Sequence, residues 1–566
     1  MKNPSLVLAL SLFVFATAPM FAQQTQSDVI ARAMQDEMQR SMKELHIEGQ
    51  ERPYFISYKI VDRNRIEAHA SLGALTSSGE SHNRYLTVTV RVGGYDLDNS
   101  NYNGGIGAMI ELLGSLGGGG NVLPLDDNYD ELRRKLWLAT DAAYKKAVED
   151  LSAKKAANQN RNRTETVPSF SHETPQQESE TLQSVDAKLV DAEGLVRDAS
   201  AVFRKLPSVE TATAEFEVNN NTERFLNSEG TTYFRQVPEI YFHASASLQD
   251  KTGENFIDTY SAYARSLNTL PSRAELVAST REISDRLLAR MKGKSSKRYS
   301  GPVLVEGRAA NELFARYFAV SLLTHRSAST TGSLLDLLTG NEADNASSTT
   351  NLLNKISSRV LPDFLTVDDN PRLTQLDGQP LFGSYKFDEE GVPSQETTLV
   401  KDGILKTLLT SRTPVRGIHQ SSGNMREAGV QPGNLFVTAS TSSTREDLRK
   451  QLIDLIKTRG LDYGIIVRQL SGVVAIEAAR IYPDGHEEAL RNAKIAEVTP
   501  ASFKDILAVS KDRTVYSERV QGAASYADAD LVSYIVPDML FEDMTIERKS
   551  DNTPKPPVIS NPIDPN

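Results

Sequence analysis

The sequence predicts an α+β fold in two domains. Three observations carry that expectation. Blocks of residues with period-two alternation recur along the chain and are separated by longer segments with helical spacing of apolar residues. A polar, basic stretch, "KGKSSKRYSGP", divides two such series. The chain has 566 residues, 39% of them hydrophobic, enough for two or three cores at about 100 to 200 residues per domain.

Residues 1–22 read as a secretory signal. Lys2 precedes an apolar run from Leu6 to Ala18, and small residues lead to a cleavage site after Ala22. The run is shorter than the roughly 20 apolar residues of a membrane-spanning helix. The expected location is therefore periplasmic or secreted, with no stable membrane span. Cys is absent, which excludes disulfides, thiolate catalysis and Cys metal ligands. Lys plus Arg number 63 against 74 Asp plus Glu, a net charge of −11 that repels a phosphate backbone, so no nucleic acid is expected as a partner.

The first domain is expected over residues 23–298. Ile30, Met34, Met38, Met42 and Leu45 share one helical face, and Gly49 stops the helix. "PYFISYKIVD" and "RYLTVTVRVGGYDLD" alternate as strands, with a further strand and turn between them in a meander. "NGGIGAMIELLGSLGGGG" lacks both the third Gly of a dinucleotide loop and the Lys-Ser/Thr of a phosphate loop, and reads as a surface loop. A helix over Tyr129–Ala157 follows. Residues 158–183 are too poor in apolar side chains to offset their ordering entropy and read as a flexible insertion. A helix from Asp186 to Leu206 leads to strands broken by "NNNT" and "SEG", both expected as hairpin turns. A helix over Ser272–Lys292 closes the domain.

The second domain is expected over 299–548. It starts with the strand "PVLVEG" and an amphipathic helix, "EGRAANELFARYFA". A Ser/Thr/Gly/Asn-rich insertion spans about Arg326 to Thr350. Strands follow around "FLTVDDNP", "GSYKFDEEGVPSQETTLVKDGILKTLLT" and "NLFVTAS". The next helix, Thr444–Arg459, carries an expected capping box of Ser443 and Glu446, with Gly460 beyond its end. "YGIIVRQL", "VVAIEAARIYPDG" and "EEALRNAKIAEV" are further strands, and the Pro-rich tail 549–566 is expected to be disordered.

Several segments of this second half, "DDNP", "DEEGVPSQETTLVKDGIL", "LLTSRTP", "SSGNMRE" and "SYIVPDMLFEDMTI", resemble the TldD/PmbA family, metallopeptidase-related proteins once called modulators of DNA gyrase. The resemblance implies an N-terminal mixed sheet with helices and a C-terminal, largely antiparallel, barrel-like domain. It also implies dimers enclosing a cavity that binds an extended peptide. Peptidases of the family hold zinc with H-E-x-x-x-H on a helix and a later Cys. Matched to that helix, Asn311 and Arg316 stand at the two His positions and Glu312 at the general base. Asn is a poor zinc ligand and Arg has no lone pair to give. Glu312 is equally read as a surface residue, four positions before Arg316 and spaced for an exposed ion pair. Glu390, Gly391, Gly423, Asn424 and Arg426 are candidates for the peptide cavity. The eight His include no i, i+4 pair, so no cofactor is predicted; zinc would belong to the alternative of an active metallopeptidase with ligands from elsewhere. The leading expectation is an exported, zinc-free member that binds extended peptides as a homodimer or beside a zinc-bearing relative. A structural envelope protein is the third reading.

Overall fold

The structure is a computed structural model, which describes residues 28–103, 122–159, 167–324, 352–520 and 529–549, a few single positions excepted. The expected signal peptide, the Gly-rich loop, almost all of the 326–350 insertion and most of the tail lie outside those residues.

Two sheet systems account for the architecture. The N-terminal one comprises β1 (Pro53–Ser71), β2 (Ala74–Val92), β3 (Gln177–Thr181), β4 (Val209–Asn227), β5 (Thr232–Gln249) and β6 (Asn255–Ala264). The order is β2-β1-β4-β5-β3, with β6 also on β5. All pairs are antiparallel except β3 with β5. Four helices accompany it: α1 (Val29–Glu44), α2 (Tyr129–Gln159), α3 (Ala192–Ala201) and α4 (Arg273–Lys292).

Residue parity sorts the two faces of this sheet, because successive side chains of a strand point to opposite sides. Ile56, Tyr58 and Ile60 pack with α1 and α2 through Met34, Leu132, Leu136 and Tyr144. Ala68, Ala70, Phe216, Val218, Phe242 and Ala244 pack with α3 and α4 through Val196, Leu276, Ile283 and Leu287. These strand residues are all even-numbered. The odd-numbered positions carry Lys59, Arg65, His69, Glu215, Glu217, Arg235, Glu239, Tyr241 and His243. That charged face does not look at water alone: much of it meets the C-terminal region.

Three expectations change here. β4 runs unbroken through Asn219–Thr222, where a turn was expected; Asn220 is held by both backbone groups of Val185, and only Ser228–Thr231 turns the chain. The expected tether over 158–183 contains β3, a strand of polar residues paired to the edge of β5. Helix Asp186–Leu206 is a short 3-10 turn, α3, and a second 3-10 turn.

The C-terminal region contains β7 (Tyr299–Val305), α5 (Arg308–Leu313), β8 (Leu365–Asp369), β9 (Thr397–Lys401), β10 (Asn434–Ala439), α6 (Arg445–Thr458), β11 (Gly464–Ser471), β12 (Val474–Ile481), β13 (Glu487–Arg491), β14 (Ala493–Ala496), β15 (Ile506–Val520) and β16 (Asp530–Arg548). β16, β7, β11, β12 and β14 pair in a ring that returns to β16. This is a closed five-stranded barrel, and only β7–β11 is parallel in it. β8, β9, β10 and β15 extend the sheet from β16. Val303, Val305, Ile465, Val467, Ile495 and Phe541 fill one core together with α5. Leu304, Ile466 and Leu540 alternate outward under Leu448, Leu452 and Ile456 of α6. The α6 cap is Thr444, which accepts from Asp447 N–H, one residue after the expected Ser443. Among the described residues, no helix is long and apolar enough to cross a membrane.

Candidate functional site

The helix expected over Glu306–Ala319 begins at Arg308 and changes type along its length. α5 ends at Leu313, Phe314–Phe318 form a π turn, and Ala319–Leu322 a 3-10 turn. Gly307 enters it with φ of 56°, a left-handed backbone that suits Gly, and its N–H donates to Asp538 Oδ1 at 2.6 Å. Phe314 and Phe318 anchor the widened turn on Phe503, with ring centroids 5.8 and 5.3 Å apart. π turns inside helices are frequent at functional sites.

Asn311 is fully buried. Its Nδ2 donates to Gly307 O at 3.1 Å, and its Oδ1 accepts from Val536 N–H at 3.1 Å. One end of the amide thereby braces the start of α5 and the other ties α5 to β16. Arg316 is exposed beside the Ser471–Gly472 turn, where a Cβ on Gly472 would lie 3.7 Å from its Cζ.

Glu312 does not pair with Arg316 on a wet surface. It turns inward, where Oε1 accepts from Arg308 Nε at 2.7 Å and Oε2 from Leu470 N–H at 2.6 Å. The side chain keeps 11% of its exposure. Burial pushes its carboxyl up to about 7, against the pull of Arg308 and the Leu470 N–H. The apolar stripe correctly located the buried side of the helix, but β11 and the N-terminal sheet cover the supposed wet side as well.

Around Glu312 the two sheet systems meet along a half-buried seam, or crevice. The Arg308 guanidinium sits 5.3 Å from the centre of the Tyr516 ring, and Tyr516 Oη donates to Glu518 Oε2 at 3.2 Å. Burial raises the Glu518 carboxyl too. From the opposite side the odd face of the N-terminal sheet presents Tyr241, His243 and Tyr263, all half-buried. His243 Nδ1 is 2.9 Å from Ser261 Oγ, and burial lowers its pKa. Arg519 crosses the gap to bond Glu239, stacks 3.7 Å from the Tyr241 ring centre, and reaches Glu217 at 3.4 Å. Gln469 Nε2 donates to Asp258 Oδ1 at 2.9 Å.

A second contact zone contains the five other candidate residues. Asp388 folds its loop by accepting from Glu390, Val392 and Met425 N–H groups. Glu389 then bonds Lys59 and Arg235 of the N-terminal sheet, and Glu427 also bonds Lys59. Lys59 and Arg235 hold the Glu389 carboxyl well below the usual range despite burial, while burial and the charge of Glu389 push Glu427 up to about 7. Glu390 accepts from Arg412 N–H at 2.6 Å, and Arg412 reaches back to Glu229 at 2.7 Å and Ser171 O at 2.6 Å. Gly391 has φ of 77°, and a Cβ there would meet Phe225 Cε1 at 2.7 Å. At Gly423, with φ of 72°, a Cβ would meet Pro393 O at 2.5 Å. Asn424 is fully buried, with Nδ2 bonding Asp369 at 2.8 Å, Tyr385 Oη at 3.1 Å and Gln431 O at 3.1 Å. Arg426 lies 4.2 Å from the Tyr385 ring centre and 3.5 Å from Asp530.

The structure therefore places Glu390 and Gly391 in a clasp against the N-terminal sheet, Gly423, Asn424 and Arg426 within the C-terminal region beside it, and Glu312 in the separate crevice. Sequence reasoning missed Arg308, Tyr516, Glu518, His243, Lys59, Arg235 and Arg412. The available signal was the run of charged residues at alternate positions of β1, β4 and β5. Among the described residues, no three His, Cys, Asp or Glu groups gather as a set that could hold a metal ion.

Comparison with known proteins adds the lineage. The family described as "PmbA/TldA metallopeptidase C-terminal domain" matches residues 302–548. A metalloprotease of Methanocaldococcus jannaschii is 34% identical over 169 residues, 28% of this chain and 36% of that protein. The metalloprotease PmbA of Escherichia coli O157:H7 is 31% identical over 127 residues, 22% of this chain and 23% of the relative. The matched stretches span well under half the length of either relative. TldE from Thermococcus kodakarensis shares the fold, with a TM-score of 0.55, 16% identity, and coverage of 91% of this chain and 99% of that one. The chain belongs to the TldD/PmbA family of metallopeptidase-related proteins.

Proposed function

We propose that this chain is an exported TldD/PmbA protein that binds extended peptide segments without hydrolysing them, as a homodimer or beside a zinc-bearing relative. One observation carries the reading: the residues at the metal-ligand positions do not fit zinc. The Asn311 amide is committed at both ends to backbone partners, Arg316 is a cation without a lone pair, and the chain has no Cys. Glu312, at the general-base position, is held by Arg308 and the Leu470 N–H.

The crevice supports the binding half of the proposal. Its half-buried Tyr and His rings offer apolar faces, while Arg308, Glu312 and Glu518 offer donors and acceptors for a peptide backbone. Such mixtures of aromatic walls and a few polar groups characterise ligand sites. The apolar run at 6–18 supports export.

Metal content and cleavage test the reading together. Purified mature protein is expected to hold far less than one zinc per chain and to leave an unstructured peptide intact with or without chelator. Stoichiometric zinc with chelator-sensitive cleavage restores the metallopeptidase.

A further inference from the structure

A pocket lies away from Glu312 and its neighbours, and its origin is visible in the strands. β16 carries Pro537, which has no N–H to give the ladder. Opposite it the register of β15 slips between Val509 and Arg513, so that Ser510, Lys511 and Asp512 bulge out. Bulges of this kind recur at binding sites because they redirect side chains. The bulge leans instead on the segment before α6: Ser443 N–H donates to Val509 O, and Lys511 N–H to Ser443 O. Between bulge and segment remains a cavity of about 290 Å³, lined by Thr438, Ser442, Ser510, Lys511, Arg513 and Pro537 among others.

Its electrostatics are one-sided. Lys511 and Arg513 have no carboxylate within ion-pair distance among the described residues. Neighbouring cations of this acidic chain are matched, as Arg445 is by Asp538 at 2.7 Å and Arg449 is by Glu487. The charge of Asp512, the acid within the bulge, also acts on Arg445. Ser510 Oγ is used internally, donating to Asp512 O and accepting from Asp538 N–H. The hydroxyls of Thr438 and Ser442 make no hydrogen bond among the described residues.

We infer that this pocket binds a phosphate-sized oxyanion, either the free ion or the phosphoryl group of an ester. Two cations supply the charge, Arg513 supplies a planar fork suited to a tetrahedral anion, and two hydroxyls supply further donors. The pocket is independent of the crevice and needs neither metal nor peptide.

Calorimetric titration of the full chain with inorganic phosphate, at an ionic strength held constant with chloride, tests this directly. Saturable one-to-one binding is expected, weakened at least tenfold in Lys511→Gln/Arg513→Gln. Both residues are exposed, so the variant should keep the wild-type circular dichroism and melting profile. Phosphate heats no larger than those of chloride, or binding unchanged in a folded double variant, overturn the inference. Tenfold tighter binding of glycerol phosphate than of phosphate assigns an ester; equal or weaker binding assigns the free ion.

Discussion

The clasp and the crevice occupy one face of one sheet, yet they treat charge in opposite ways. At the clasp Lys59 and Arg235 meet Glu389, Glu427 and Glu223, and Gly391 fits closely on Phe225. At the crevice burial raises the carboxyl of Glu312 to about 7 and also raises that of Glu518, while Tyr241, His243 and Tyr516 stay half open. A buried pair that is fully matched serves position, since breaking it leaves an uncompensated charge. A partly open set of groups with shifted pKa values is what binding and catalytic sites use. The difference separates residues that hold the molecule together from residues that can meet a ligand.

The largest effect should come from the clasp. Glu389→Ala leaves Lys59 and Arg235 short of their shared carboxylate, and the expected loss is about 3 to 5 kcal/mol, read in a denaturant titration. If the midpoint hardly moves, the clasp does not join the two regions as described. Gly391→Ala should cost about 1 to 3 kcal/mol, because its φ of 77° strains an L-residue and its Cβ would enter Phe225. Moving the same substitution to Gly417, with open space around its Cβ, should cost less, through backbone strain alone.

At the crevice the effects are smaller and depend on pH. Burial raises Glu312 to about 7, above the roughly 4.3 of an unfolded chain. Between those values the folded protein keeps a proton that the unfolded chain has lost. The group's contribution is therefore present at acid pH and is lost as pH rises through about 7. Glu312→Gln, which cannot ionise, should flatten stability between pH 5.5 and 8 by on the order of 1 kcal/mol. An unchanged slope would mean that Glu312 is already ionised beside Arg308. The smallest effect, about 1 kcal/mol, is expected for Thr444→Ala at the α6 cap, with Ser443→Ala nearly neutral.

Much of this fold was legible from residues alone. Period-two runs placed β1, β2, β11 and β12, and the apolar stripes of α1 and α2 identified the face that packs on Ile56 and Tyr58. The NNNT segment misled because polar residues inside a strand look like a turn until Val185 is seen to satisfy Asn220. β3 was hidden for a related reason: an edge strand with five polar side chains has no alternation to read. The site was less legible still. Lys59 and Arg235 are separated from Glu389 by more than 150 residues, and alternation with charged residues ordinarily means water. Only the second sheet system, packed on that face, turns those charges into partners. For Glu312, four-residue spacing was compatible with Arg308 before it as well as Arg316 after it, and the π turn, which spacing does not reveal, carries Arg316 away.

In the proposed function the groups around Glu312, and not a metal, meet the peptide. Photo-crosslinking reads this most directly, with a photoreactive residue at His243 or Tyr516 and an unstructured peptide of mixed sequence in chelator. An adduct is expected at both positions, competed by unlabelled peptide, and none from a photoreactive residue on the exposed face of α2. Crosslinking that requires added zinc, or that is equal at all three positions, would contradict it.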